Sequence, residues 1–154
     1  MSTLKQLNFT RMHALRQLEQ APEEKWDTQP EGFSNTIRWN AGHIFVTMEV
    51  FVQKAIPEYT PVNPEWIPFF VTGSSTSQWE GEPPTNEELL TALKAQSERI
   101  VALLEGELDQ TLAEPVRIGN IHTMETVDAV VQFIVWHEGM HAGLIQGLNR
   151  VVGK

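Results

Sequence analysis

The sequence predicts an all-α fold: a single domain over residues 1–154, built as a four-helix bundle with a long crossover between helices 2 and 3. Three observations carry that expectation. Apolar residues recur at helical spacing in four separate segments. The stretch between the second and third of them, residues 56–84, is too long for a tight helix–helix turn. A length of 154 residues suits one domain whose core needs no disulfide, and the chain has no cysteine with which to form one.

The first segment, residues 3–20, places Leu4, Leu7, Leu15 and Leu18 at helical spacing and points Lys5, His13 and Glu19 elsewhere. His13 lies opposite the leucine stripe and reads as solvated. Pro22, Glu23 and Glu24, then Pro30-Glu31-Gly32, make a connecting loop in which Trp26 packs down on the core. A second helix runs from Asn35 or Thr36 to Ala55. Ile37, Ala41, Ile44, Met48 and Val52 lie on one side of it, and it stops before Pro57.

Residues 56–84 hold six prolines, the Gly73-Ser74-Ser75 run and the rings of Trp66, Phe69, Phe70 and Trp79, which is too aromatic for a disordered linker. A crossover of this length can travel back along the bundle and start the third helix at the same end as the second. Its rings then lie near one end of the bundle, or simply plug it. Thr85-Asn86-Glu87-Glu88 reads as a capping box that opens the third helix. That helix buries Leu89, Leu90, Leu93, Ile100 and Leu104 and carries nothing that suggests chemistry. Residues 106–123, with Pro115 and Gly119, form a second connection with room for a short extended piece. Arg117 and His122 there read as surface groups. The fourth helix is expected from Thr123 to about Asn149.

That last helix contains Trp136-His137-Glu138-Gly139-Met140-His141. Histidines four apart leave the same helix face and can converge on one ion. His137 and His141 share their stripe with Val130, Val131, Ile134, Ile145 and Leu148, and an imidazole on an apolar face needs a strong partner to offset its desolvation. His43 lies at the margin of the second helix's stripe, beside Asn40 and Thr47. If the two helices pack antiparallel, the three imidazoles fall at nearly the same height; if parallel, they miss by roughly 10 Å at 1.5 Å per residue.

Three neutral imidazoles around a divalent ion leave its charge intact and at least one position open, the pattern of a catalytic zinc site. Such an ion lowers the pKa of bound water to roughly 7 or holds an incoming thiol as thiolate. Imidazole suits zinc, nickel, copper or iron alike. The same residues also read as His-Glu-x-x-His, the zincin protease signature with Glu138 as general base. Residues 142–154 contain no His, Asp or Glu to serve as the third ligand, and Leu144 stands where the extended pattern needs glycine, which weighs against a protease. Glu138 could still orient a ligand imidazole or take a proton from bound water or thiol.

Trp39-Asn40-Ala41-Gly42-His43 and His137-x-x-x-His141-Ala142-Gly143, separated by the Pro-rich crossover, resemble the DinB-like (YfiT-type) family of metal-binding four-helix bundles over nearly the whole chain. The resemblance implies a divalent metal, zinc or nickel, on His43, His137 and His141; from their positions beside these histidines, Glu138 and Asn40 are candidates to support them. One departure stands out: the family often has glutamine directly after the last glycine, where this chain has Leu144, with Gln146 two positions on. Relatives include metal-dependent transferases of low-molecular-weight thiols and isomerases that use such thiols. The expectation is therefore a metal-dependent thiol transferase acting on a small-molecule substrate. A metal-dependent hydrolase of small amides or esters, or a non-catalytic metal-binding stress-response protein, are the alternatives.

Eleven Lys and Arg against twenty Asp and Glu leave a formal charge of -9, which repels phosphate backbones and makes nucleic acid an unexpected partner. No basic-then-apolar leader opens the chain and no apolar run reaches the roughly 18 residues of a spanning helix, so a cytoplasmic protein without a membrane partner is expected. Spare apolar surface on a bundle could support a homodimer.

Overall fold

Four long amphipathic helices account for most of the chain, and the computed structural model describes residues 2–153. Helix α1 (Ser2–Gln20) buries Leu4, Leu7, Ala14 and Leu18 at the three-and-four spacing of one face, with Arg11 buried in the middle of the same stripe. Helix α2 (Ile37–Ala55) starts at Thr36, whose hydroxyl accepts the N–H of Trp39, and ends ahead of Pro57. The crossover contains the single turn α3 (Ile67–Phe70). Helix α4 (Asn86–Leu104) opens on the capping box that its sequence predicts. The Thr85 hydroxyl accepts from the Glu88 N–H at 3.2 Å, and the Glu88 carboxylate accepts from the Thr85 N–H at 2.7 Å. The longest helix, α5 (Val127–Val152), closes the chain.

The fold is mostly helical rather than purely so. Strands β1 (Thr111–Ile118) and β2 (His122–Thr126) pair antiparallel between α4 and α5. The expected helix start at Thr123 is therefore corrected: Thr123 pairs with Arg117, and the cap is Thr126, whose hydroxyl accepts the N–H of Ala129. Extended backbone wins because β-branched residues line the segment and because Val116 and Met124, paired across the ladder, are both buried in the core. The turn between the strands passes through Gly119 at φ 53°, which glycine tolerates without steric cost. At its other end α5 runs past Asn149 to Val152, whose side chain is buried.

Side-chain contacts fix the directions of the long helices. Asn40 meets His141 and His43 meets His137, so α2 and α5 run antiparallel. Arg11 meets Glu138 and the Gln17 carbonyl accepts from Asn149, so α1 and α5 run parallel. Arg38 donates to the Pro84 carbonyl and Gln96 to that of Phe45, so the crossover has brought the chain back and α4 runs parallel to α2. Both α4 and α5 pack on α1 and on α2. One core cluster, with Trp26, Phe45, Phe70, Leu93 and Ile145, fills the end where α2 begins; the other, with Leu4, Met48, Ile100, Val116 and Val130, fills the hairpin end. Among the described residues no helix is long and apolar enough to cross a membrane.

Candidate metal centre

The antiparallel pairing of α2 and α5 brings His43, His137 and His141 together. One ring nitrogen from each lies within 4.8 Å of the others, and the three residues are 3%, 9% and 6% exposed. The Nε2 atoms of His43 and His137 are 3.0 Å apart. The tautomers follow from the partners on the far side of two rings. The Phe70 carbonyl, 2.6 Å from His43 Nδ1, can only accept, so Nδ1 carries the proton and Nε2 presents a lone pair. The Asn40 amide nitrogen donates to the Thr36 carbonyl, which leaves its Oδ1 to accept from His141 Nδ1 at 2.8 Å and frees His141 Nε2 in the same way. A carbonyl behind each ring is how metal-ligating histidines are held in one tautomer and orientation.

Other contacts stiffen this arrangement. The Trp39 ring stacks on His43 at 4.4 Å and 14°, and its indole N–H donates to Ser74 in the crossover. The crossover can press Phe70 against α2 only because residue 42 is glycine: a Cβ there would lie 2.3 Å from the Phe70 ring. Trp79 fixes the same segment by donating to the Phe69 carbonyl at 2.8 Å.

Burial holds all three imidazoles in their neutral form. Desolvation, followed by the neighbouring His141 and His43, lowers the pKa of His137 to about 3. Desolvation, then His43, lowers that of His141 to about 4. His43 is lowered by burial against the opposing bond to Phe70. Neutral imidazole is the ligand form, so the site needs no proton loss at pH 7 to accept a cation.

Of the residues that the sequence singles out, the structure gathers His43, His137, His141 and Asn40. It takes Glu138 elsewhere. Both carboxylate oxygens of Glu138 accept from the guanidinium of Arg11, at 2.5 and 2.9 Å, with both side chains 1% exposed. A carboxylate so engaged is not the free general base of a His-Glu-x-x-His protease. His13, Arg117 and His122 are exposed, as expected.

Sequence reasoning missed the network beyond Glu138. Arg11 also donates to the Leu93 carbonyl and to Gln96. Gln96 donates to Glu49 at 2.8 Å, and Glu49 accepts from Arg99, from the Tyr59 hydroxyl and from the Val62 N–H. Burial, then the bond to Glu49, raises the Tyr59 pKa to about 12, so the phenol stays a donor. Two oppositely charged pairs, bridged by the Gln96 amide, thus link α1, α2, α4 and α5, and Glu138 in this network is the chain neighbour of His137. A signal existed for Arg11, which sits in register with Leu4, Leu7, Ala14 and Leu18 where an apolar residue belongs.

The family model described as the DinB superfamily matches residues 6–145, a span that includes all three histidines. The chain belongs to the DinB superfamily. A search of curated proteins returns no match. The donor set of this superfamily member fits a divalent cation: three neutral imidazoles converge, two through ring nitrogens whose opposite atoms are already committed to carbonyls.

Proposed function

We propose that this superfamily member is a four-helix bundle that holds one divalent ion, zinc or nickel, on His43, His137 and His141 and works as a metal-dependent transferase of a low-molecular-weight thiol. The observation that carries the reading is the convergence of the three buried imidazoles, with His43 and His141 locked from behind by carbonyls. A divalent ion bound there supplies the positive charge that keeps a thiol deprotonated at neutral pH.

The chain's own residues supply the rest. Phe70 and Asn40 orient the rings, and Trp39 and the apolar crossover keep water away from them. Glu138, held by Arg11, sets the rotation of α5 from a position between its two histidines, and its engaged oxygens leave the thiol proton to pass to solvent. In the transfer the sulfur forms a bond to an electrophilic carbon of the acceptor while the bond from that carbon to its leaving group breaks, and the leaving group departs with the electron pair. The acidic surface favours a small-molecule acceptor over nucleic acid, and we place the reaction in the cytoplasm, where thiols are kept reduced.

The test is conjugation of glutathione, cysteine or another small thiol to iodoacetamide by the zinc-loaded protein. The reading expects a rate above the uncatalysed one that disappears with His141→Ala, and a change in the visible spectrum of cobalt-substituted protein when thiol is added. Turnover of a small ester without thiol, rising with pH through the pKa of a bound water, would replace this reading with hydrolysis.

A further inference from the structure

Residues 64–80 of the crossover form a strap with little internal support. Phe70 alone among them is buried, and the longest helix is the single turn Ile67–Phe70. The backbone hydrogen bonds of the strap are local turns: the N–H groups of Trp66, Val71, Ser74 and Gln78 donate to the carbonyls of Asn63, Ile67, Val71 and Ser75. Its two roots are fixed, since the Val62 N–H donates to Glu49 at 2.9 Å and Arg38 donates to the Pro84 carbonyl at 2.8 Å. A segment with few buried apolar contacts and only local hydrogen bonds opens at low free energy, so what holds the strap between its roots decides whether it stays docked.

Among the described residues two side-chain hydrogen bonds join the strap to the long helices, and both converge on one ring of the metal centre. His43 Nδ1 donates to the Phe70 carbonyl at 2.6 Å. The Trp39 indole N–H donates to the Ser74 hydroxyl at 2.9 Å, while the Trp39 ring stacks on His43 at 4.4 Å and 14°. Within the strap, Ser74 and Trp79 both donate to the Phe69 carbonyl, at 2.9 and 2.8 Å, which ties the Ser74 hydroxyl to the backbone next to Phe70. Apolar packing adds Phe70 against Gly42 and the Trp66 ring 5.2 Å from that of Phe45.

We propose that the strap is a cation-controlled element: a divalent ion on His43 Nε2 docks residues 64–80 more firmly on α2, and the docked strap holds the ion more tightly in return. The inference rests on the metal reading of the three histidines and is independent of the transferase reading. Coordination at Nε2 draws electron density out of the imidazole, which makes Nδ1–H a stronger donor to the Phe70 carbonyl. The same withdrawal gives the ring cationic character, and the face of the Trp39 indole, which carries the negative part of its quadrupole, then attracts it more strongly. One binding event thus strengthens both ties. Linkage makes the effect reciprocal, because the factor by which docking raises cation affinity equals the factor by which the cation favours docking.

Hydrogen–deuterium exchange of the full chain, metal-free and zinc-loaded, reads the strap directly. The expected result is that zinc slows amide exchange in residues 66–79 by about tenfold more than in α4, which carries none of the three histidines. Ser74→Ala removes the acceptor of the Trp39 N–H at a half-buried loop position. It should reduce that selective slowing and the zinc affinity, measured by competition with a chromophoric chelator, by the same factor. Trp39→Phe, which keeps a ring and lacks the N–H, should act in the same direction. Zinc bound with equal slowing in the strap and in α4 would overturn the coupling alone, and so would selective slowing and zinc affinity that both variants leave unchanged. Failure of zinc to bind at all would overturn the metal reading together with it.

Discussion

Arg11 occupies the position in α1 where packing alone calls for leucine, and the guanidinium survives there because Glu138, Gln96 and the Leu93 carbonyl meet its N–H groups. Burying a charge is tolerable only when it is paired and hydrogen-bonded, so removing one partner costs more than the pair contributes. Arg11→Met leaves the Glu138 carboxylate buried and unpaired, and urea denaturation should show a loss of about 3–5 kcal/mol. The double variant Arg11→Met with Glu138→Met should recover most of it. If the single and double variants were equally destabilised, the pair would not be the source of the cost. At this scale much of the site is readable from sequence. Histidines on apolar faces announce themselves, and so does an arginine in a leucine register. The Phe70 carbonyl does not, because a backbone acceptor from a proline-rich loop has no residue-type signature.

The elements that set the site are α2, α5 and the crossover that leans on α2. Gly42 is the contact point, and a Cβ there would overlap the Phe70 ring at 2.3 Å. Gly42→Ala should therefore push the crossover outward and take the Phe70 carbonyl from His43. Its cost should be about 1–3 kcal/mol in thermal or urea unfolding, the range for overpacking a core, together with weaker metal binding. Unchanged stability and metal affinity would mean that the crossover does not hold His43. Helix limits were legible where one residue type dominates: Pro57 ends α2, and Thr85 with Glu88 opens α4. The hairpin was not. Thr123 and Thr126 are both acceptable helix caps, and only the burial of Val116 and Met124 against the core, a long-range effect, decides for strand up to Thr126.

For the molecule as a whole, three neutral buried histidines tie stability to pH. In the unfolded chain they titrate near 6.5, whereas in the folded metal-free chain His137 titrates at about 3, His141 at about 4 and His43 below its ordinary value. Between about pH 4 and 6.5 the unfolded state therefore binds more protons, so stability falls as pH drops through that window and is insensitive to these groups above it. Urea midpoints of metal-free protein at pH 7.5 and 5 should differ, and replacing all three histidines by alanine should shrink the difference. A triple variant with the full wild-type pH dependence would contradict the assignment. The central claim is that α2 and α5 together hold one cation, and its most direct test is elemental analysis of purified protein beside the His43→Ala variant, with helix content checked by circular dichroism. The account predicts one zinc or nickel ion per wild-type chain and its loss from a variant that remains helical. Metal retained undiminished by His43→Ala would contradict it.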